Sequence, residues 1–305
     1  MSAHTDIVEN GWVSRMPGAW RPYLLLARVD RPIGTWLLFL PGTWGITLAA
    51  PTVPDAIRLL LLFGVGSLVM RAAGCVVNDL WDRDIDRLVA RTAGRPLASG
   101  ALRPRHALAF LAVLLLTGLI VLLQLNPLAQ LLGVGSLVLV ALYPLAKRVT
   151  WWPQLVMGFT FGFGAPMGYA AATGHLGLAW ALIYGAAILW DLGFDTIYAH
   201  QDREDDALIG VKSTARLLMQ DSGKWILRFY ALCFTLVLAA GFSEHAGWPF
   251  AFVMLSAGAH MLWQVRRLKI DDAANCLMLF RANSVTGGLM ALSFAVATWF
   301  APLLG

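Results

Sequence analysis

Long apolar runs separated by short polar segments make up most of the chain. Nine of these runs approach or exceed the roughly 20 residues that a helix needs to cross a bilayer. We therefore expect residues 1–31 to form a polar N-terminal segment at the membrane interface, and residues 32–305 to form a single transmembrane domain. The nine predicted spans are about 33–50, 56–80, 106–125, 128–146, 153–173, 178–200, 224–242, 247–265 and 283–303.

Composition supports the same class of protein. Of 305 residues, 58% are hydrophobic and only 13% are charged, whereas charged residues make up about 25% of a typical soluble domain. The composition excludes a soluble globular protein. It favours an all-α integral membrane bundle of about nine helices, which we expect to surround a central cavity.

The distribution of positive charge predicts the orientation in the membrane. If the N-terminus lies in the cytoplasm and the spans alternate, every Lys and Arg except Arg58 and Arg71 falls in a cytoplasmic segment. This bias matches the positive-inside rule. The net charge of +5 is explained by topology, so no nucleic-acid partner is expected.

The second predicted span ends in an acidic stretch, Asn-Asp-Leu-Trp-Asp-Arg-Asp-Ile-Asp over residues 78–86. On a helix, Asn78, Asp82 and Asp86 share one face, with Asp79 close to it. Stacked carboxylates repel one another, and a divalent cation would relieve that repulsion. Mg²⁺ typically binds one or two carboxylates together with substrate phosphates. A single stretch of this kind is equally consistent with a solvated helix end.

A second acidic stretch makes the metal-binding interpretation stronger. Tyr198, Asp202 and Asp206 repeat the same spacing 120 residues later, with Asp195 one turn earlier, at the end of the sixth span. Both stretches lie on the predicted cytoplasmic side, so a bundle can bring them together across a cavity. The candidate metal-binding residues, for two or three Mg²⁺ ions, are Asn78, Asp79, Asp82, Asp86, Asp195, Asp202 and Asp206.

Basic residues follow each acidic stretch. Arg91 and Arg95 follow the first, and Lys212 follows the second. Arginine binds phosphate oxygens in a bidentate manner and lysine acts as a point charge. These residues suggest a diphosphate site that opens into the membrane, and therefore a lipid diphosphate substrate. The alternative is that they are ordinary positive-inside charges.

These motifs resemble a known family. The stretch Gly-Cys-Val-Val-Asn-Asp-Leu-Trp-Asp-Arg-Asp-Ile-Asp (74–86), with Arg-Thr-Ala-Gly-Arg-Pro-Leu-Ala-Ser-Gly (91–100), resembles the first motif of the UbiA-type membrane prenyltransferases. The stretch Asp-Thr-Ile-Tyr-Ala-His-Gln-Asp-Arg-Glu-Asp-Asp (195–206), with Gly-Val-Lys-Ser-Thr (210–214), resembles the second. Residues 31–36 and 143–148 are similar to the branch of this family that prenylates 4-hydroxybenzoate.

The resemblance implies a function and a set of site residues. It implies that Mg²⁺ and the two motifs bind a polyprenyl diphosphate, and that the prenyl group is transferred to the 3-position of 4-hydroxybenzoate in ubiquinone biosynthesis. Arg148 would bind the carboxylate of the aromatic acid. The catalytic set that we expect is Asp82, Asp86, Asp202, Asp206 and Arg148.

The expected location is a bacterial inner membrane, with the active site facing the cytoplasm and the prenyl chain extending into lipid. Asp6 and Glu9 near the N-terminus disfavour a mitochondrial transit peptide, which is normally poor in acidic residues. The mitochondrial inner membrane is therefore the second choice.

Asp191 departs from the family pattern, because relatives generally have an uncharged residue at this position within the sixth span. It leaves other acceptors open, namely homogentisate, dihydroxynaphthoate or haem.

Two other classes of membrane protein are alternatives. A membrane transporter would place its polar residues near the bilayer midplane rather than at one face, and a CDP-alcohol phosphotransferase would carry a compact acidic signature that this sequence lacks.

Overall fold

The computed structural model describes residues 7, 11–88, 92–203, 207 and 210–300, and the regular elements among these are all helical. Short 3₁₀ turns cover Trp12–Arg15 and Met219–Asp221, and a π-helical turn covers Val296–Phe300. The α-helices are α1 (Arg21–Leu26), α2 (Ile33–Ala49), α3 (Val53–Trp81), α4 (Arg83–Asp86), α5 (Pro104–Leu122), α6 (Pro127–Val149), α7 (Pro153–Phe161), α8 (Gly164–Thr173), α9 (Leu178–Ala199), α10 (Thr214–Leu218), α11 (Ser222–Ser243), α12 (Trp248–Arg267) and α13 (Ala273–Ala295).

The predicted all-α membrane fold is confirmed. Within the described residues, six helical segments are long and apolar enough to cross a membrane, and the segments Ile33–Ala49 and Pro127–Tyr143 are shorter apolar helices. Eight of the nine predicted spans coincide with observed helices to within a few residues, the fifth being split into α7 and α8. The ninth was placed too late, because α13 begins at Ala273 rather than near residue 283.

Helix ends follow the local sequence signals. The Asn126 side chain accepts a hydrogen bond from the Ala129 N–H at 2.9 Å and caps α6, and Pro127 occupies the first helical position. Proline is favoured there because that N–H has no partner inside the helix. Gly174 ends α8 with a left-handed backbone, φ 75°, a conformation that glycine adopts without a steric penalty.

The chain divides into two compact units. The first comprises Met1–Trp36 and Gly64–Gln124, and the second comprises Leu37–Phe63 and Leu125–Gly305. The single transmembrane domain expected from the sequence therefore stays a prediction. In the first unit, the core contains Leu26, Ala27, Ala72, Ala73, Val76, Leu97, Leu102, Ala107 and Leu114.

In the second unit, glycines allow α2 and α8 to pack backbone against backbone. A Cβ atom on Gly45 would clash with the Ala165 carbonyl oxygen and the Tyr169 amide nitrogen, and one on Gly168 would clash with the Gly42 carbonyl oxygen. At Gly168 the structure shows close packing, as is common for small residues in membrane helices.

A buried polar network joins α9, α11, α12 and α13 in the second unit. The Trp190 indole N–H donates to Asn283 Oδ1 at 2.9 Å, and the Tyr230 hydroxyl lies within 3.2 Å of the same oxygen. Asn283 Nδ2 donates to Gln264 Oε1 at 2.8 Å, and Gln264 Nε2 donates to Thr286 Oγ1 at 2.8 Å. These hydrogen bonds satisfy polar groups that would otherwise be costly to bury.

Replacing Gly45 by alanine should destabilise the second unit. The added methyl group meets backbone atoms of α8, which cannot move aside as a side chain can, and overpacking of this kind typically costs about 1–3 kcal/mol. The measurement is thermal unfolding in detergent. Gly135→Ala in α6 is the matched control, because a Cβ atom there has no neighbour within 4 Å. Equal stability of the two variants would contradict the close-packing account.

Candidate active site

The first acidic segment keeps its predicted helical spacing across an interruption of the helix. α3 ends at Trp81 and α4 begins at Arg83, with Asp82 between them at φ −92° and ψ 3°. The Asp82 N–H nevertheless donates to the Asn78 carbonyl, and the Asp86 N–H donates to the Asp82 carbonyl, each at 2.8 Å. Asn78, Asp82 and Asp86 are therefore successive positions of one helical ladder. Asn78 is exposed, Asp82 is partly exposed and Asp86 is buried.

Asp79 and Asp86 belong to a buried cluster of two carboxylates and two guanidinium groups. Arg28 Nη2 donates to Asp79 Oδ1 at 2.6 Å. Arg95 Nη1 lies 3.3 Å from the same Asp79 oxygen and 2.9 Å from Asp86 Oδ2. Ionised groups are costly to bury unless they are paired and hydrogen-bonded. This pairing explains how two carboxylates can lie so close together beside an apolar helix.

One apolar core holds all three segments that carry this cluster. Leu26 and Ala27 immediately precede Arg28, Ala72 and Val76 lie on the helix that carries Asp79, and Leu97 follows Arg95 by two residues. All five of these apolar residues belong to the core of the first unit. Packing of the core therefore brings the four charged side chains together.

Local hydrogen bonds connect residues 92–98 to the end of the first acidic segment. Thr92 Oγ1 donates to the Asp86 carbonyl at 3.0 Å, and the Arg95 N–H donates to the Thr92 carbonyl at 2.9 Å. Arg87 Nε donates to the Ala98 carbonyl at 3.0 Å. The position of Arg95 therefore depends on the path of this loop. Arg91, predicted to bind phosphate, lies outside the described residues.

Sequence reasoning counted Arg28 only as a topological charge and missed its contact with Asp79. The two residues are 51 positions apart, and no spacing rule connects them. The Arg28 backbone is left-handed, φ 56°, which is uncommon for a residue other than glycine. Since neither the pairing nor this backbone conformation has a local sequence signature, only the fold reveals the role of Arg28.

Asp84 lies in the same segment in a different environment. Its side chain is 73% exposed and accepts a hydrogen bond from Arg83 Nε at 3.0 Å. The Arg83 guanidinium lowers the pKa of the Asp84 carboxyl. The segment thus contains a solvated carboxylate close to the buried ones.

The helix that carries Asp195 and Tyr198 does not continue to Asp202. α9 ends at Ala199, close to the predicted end of the sixth span, and the His200 and Gln201 N–H groups donate to carbonyls only three residues back, those of Ile197 and Tyr198. Asp202 follows this tight turn outside a helix. The repeated spacing of Tyr198 and Asp202 therefore does not place them on one continuous helix.

Three predicted residues of this segment remain accessible. Asp195, Tyr198 and Asp202 are all partly exposed, and the Tyr198 ring packs 4.5 Å from the ring of Phe280. Asp206 lies outside the described residues.

His200 anchors the turn rather than joining the acidic side chains. Its Nε2 lies 2.9 Å from Ser222 Oγ, and both residues are buried. Arg203 Nη2 donates to Asp271 Oδ1 at 2.8 Å. These two contacts tie the segment to the start of α11 and to the loop before α13.

The Lys212 side chain contacts the last residue of α6. Its Nζ donates to the Val149 carbonyl at 3.2 Å and lies 5.9 Å from the centre of the Trp151 ring. Arg148 immediately precedes Val149, but its side chain lies outside the described part of the structure. Thr214 fixes the loop, since its N–H donates to Gln154 Oε1 at 2.9 Å.

Asp191 and Arg71 lie within long apolar helices, α9 and α3. Asp191 is 1% exposed, and no hydrogen-bond partner is found for either of its carboxylate oxygens among the described residues. In the first unit, Arg71 lies against α2, where a Cβ atom on Gly34 would be 2.7 Å from Arg71 Nε. A bulkier residue at Gly34 would displace this guanidinium.

The donor set in both segments suits a hard cation. It consists of carboxylate and amide oxygens with one phenol oxygen, and thiols are absent from both stretches. Oxygen ligands of this kind match Mg²⁺. No cluster of three or more His, Cys, Asp or Glu side chains able to hold a metal is present in the described ranges.

Comparison with known proteins identifies relatives along nearly the whole chain. The family model described as the UbiA prenyltransferase family matches residues 38–295. The chain is 45% identical over 290 residues to a Caenorhabditis elegans protein named 4-hydroxybenzoate polyprenyltransferase, mitochondrial. The match covers 94% of this chain and 81% of that protein.

Solved structures share the fold. A UbiA homologue from Aeropyrum pernix aligns with a TM-score of 0.70 at 27% identity, covering 86% of this chain and 97% of that one. A UbiA homologue from Archaeoglobus fulgidus, whose structure contains GPP and Mg²⁺, aligns with a TM-score of 0.66 at 20% identity, covering 91% and 99% of the two chains. With the family match and the similarity to the Caenorhabditis protein, these alignments establish that the chain belongs to the UbiA prenyltransferase family.

Proposed function

We propose that the protein transfers a polyprenyl group from a polyprenyl diphosphate to the 3-position of 4-hydroxybenzoate, in ubiquinone biosynthesis. The observation that carries this proposal is the 45% identity, over 94% of the chain, to a relative named for that activity. The same similarity favours 4-hydroxybenzoate over homogentisate, dihydroxynaphthoate or haem as the acceptor. It also favours an enzyme over a transporter.

The two acidic segments would hold Mg²⁺ together with the diphosphate. Support comes from their oxygen donors and from the Archaeoglobus relative, whose structure contains GPP and Mg²⁺. The residues proposed for the metal are Asn78, Asp79, Asp82, Asp86, Asp195, Asp202 and Asp206. When bound, Mg²⁺ would stabilise negative charge on the departing diphosphate. Asp79 would act by orienting its neighbours, because Arg28 and Arg95 both hydrogen-bond to it.

Cationic side chains would bind the diphosphate oxygens. Arg91, Arg95 and Lys212 are the proposed contacts, and the partial burial of Arg95 and Lys212 makes their charges more effective than fully solvated ones. They would stabilise the charge that develops as the allylic carbon–oxygen bond breaks.

The aromatic acid would be held by Arg148, which carries a charge that can bind its carboxylate. The ring carbon ortho to the phenol hydroxyl then attacks the allylic carbon, forming a carbon–carbon bond. The carbon–oxygen bond to the diphosphate breaks before this attack, so the ring carbon bonds to an allylic cation, and the ring then loses the proton from that carbon. Apolar surroundings would exclude water, which would otherwise capture the allylic carbon.

The protein is an integral membrane protein, given its six candidate spans. We propose a bacterial inner membrane with the site at the cytoplasmic face, on the basis of the charge bias. The named Caenorhabditis relative is mitochondrial, which makes the mitochondrial inner membrane the alternative.

Replacing Asp82 or Asp202 by alanine should lower turnover by at least about 100-fold, since each variant removes charge that would hold the cation opposite the leaving group. Turnover is measured with membranes containing the full chain, a polyprenyl diphosphate, Mg²⁺ and 4-hydroxybenzoate. The control is Asp84→Ala, which removes an exposed carboxylate from the same segment and should retain activity. Substantial turnover by Asp82→Ala or Asp202→Ala, with normal membrane insertion, would mean that the metal site is wrongly placed.

Arg148→Ala should raise the KM for 4-hydroxybenzoate about tenfold or more, with a smaller effect on the KM for the diphosphate, because a charged hydrogen bond to the carboxylate is lost. Arg267→Ala, at the exposed end of α12, is the control for loss of one positive charge. A larger effect on the diphosphate would remove the assigned role. Turnover of a different acceptor by the unmodified protein, with none of 4-hydroxybenzoate, would overturn the acceptor assignment.

A further inference from the structure

The buried charge cluster of the first unit is unevenly connected. Asp79 Oδ1 accepts hydrogen bonds from both Arg28, at 2.6 Å, and Arg95, at 3.3 Å. Among the described side chains, the Asp86 carboxylate is hydrogen-bonded by Arg95 alone, at 2.9 Å. Within the described part of the chain, Asp79 therefore keeps a close cationic partner if Arg95 moves, whereas Asp86 keeps none.

Burial makes this difference important. The side chains of Asp79 and Asp86 are 2% and 9% exposed, and those of Arg28 and Arg95 are 16% and 11% exposed. The two carboxylates and two guanidinium groups balance in charge. Removing one partner of a buried pair leaves an uncompensated charge, which is strongly unfavourable. Arg95 can leave Asp86 at low cost only if another cation replaces it there and an anion takes up the guanidinium.

The two candidate ligands meet that condition together. A divalent cation on Asp86 would compete with Arg95 for the same carboxylate oxygen, and a diphosphate would offer the displaced guanidinium new acceptors. Either ligand alone breaks the Arg95–Asp86 pair and compensates only one of its two charges.

We propose that Arg28 is the fixed counter-ion of Asp79, and that Arg95 is an exchangeable counter-ion of Asp86 which couples metal binding to diphosphate binding. Arg95 is thus a phosphate ligand and also a competitor of the metal. The inference rests on the proposed function, which assigns Asp86 to Mg²⁺ and Arg95 to the diphosphate. Coupling between two ligands is reciprocal and typically amounts to about 5–150-fold in affinity.

The diagnostic quantity is metal affinity without any phosphate. If Arg95 competes for Asp86, then Arg95→Gln should bind Mn²⁺, a spectroscopic substitute for Mg²⁺, about tenfold more tightly than the unmodified protein. A residue that only binds phosphate, or only supports the fold, would leave this affinity unchanged or lower it. The measurement is an electron paramagnetic resonance titration of the purified full-length protein with Mn²⁺.

Three variants make the test specific. Arg87→Gln removes a positive charge from the same loop without touching Asp79 or Asp86, since Arg87 bonds to Asp84 and the Ala98 carbonyl, so its Mn²⁺ affinity should be unchanged. Arg95→Lys keeps the charge, so its Mn²⁺ affinity should resemble that of the unmodified protein. This variant keeps the test usable if Arg95→Gln misfolds. Arg28→Gln leaves Arg95 as the main partner of Asp79, so it should bind Mn²⁺ more weakly.

Inorganic pyrophosphate is then added to each protein. We expect pyrophosphate to increase the Mn²⁺ affinity of the unmodified protein. The same increase should be at least about fivefold smaller in Arg95→Gln. Equal Mn²⁺ affinities of Arg95→Gln and the unmodified protein without pyrophosphate would overturn the coupling while leaving the proposed function intact. Conversely, Arg95→Gln could bind Mn²⁺ more tightly while the unmodified protein fails to prenylate 4-hydroxybenzoate. That result would retain the coupling and reject the proposed acceptor.

Discussion

The pairing of buried carboxylates with arginine is the interaction on which the first acidic segment depends. Asp79 and Asp86 are almost fully buried at the end of a long apolar helix, where an unpaired charge is strongly unfavourable. Arg28 and Arg95 supply the compensating charges from two other segments, and the apolar core of the first unit holds all three segments. The same carboxylates that suit a cation in catalysis are therefore part of what keeps this unit folded.

The helices were predictable from the sequence because hydrophobicity at membrane-spanning length is a local signal. The exception is informative. α13 was expected to begin near residue 283, yet the helix begins at Ala273 and has Arg281 and Asn283 in its interior. Asn283 is tolerated because Trp190 and Gln264 satisfy its hydrogen bonds. Such compensation comes from other helices, so a reading of one segment at a time could not reveal it.

The site was predictable only in part, for a similar reason. Repeated spacing made Asp82, Asp86, Asp195 and Asp202 candidates, and the ladder through Asn78, Asp82 and Asp86 is present. The spacing could not show that Asp202 follows a tight turn after α9, where His200 contacts Ser222. Nor could it show Arg28, whose partner is far away in the chain. Residue types and spacing predict chemistry, whereas the pairing of charges depends on packing.

The buried polar network of the second unit has a consequence for biogenesis. Asn283, Gln264 and Thr286 are fully buried, and each would face lipid or the translocation channel with unsatisfied hydrogen bonds if its helix entered the membrane alone. Polar side chains are costly in the hydrocarbon region. The helix that carries Asn283 is therefore a weak insertion signal by itself, and its integration should depend on α9, α11 and α12 being already present. Synthesis order favours this, since α9, α11 and α12 all precede α13 in the chain.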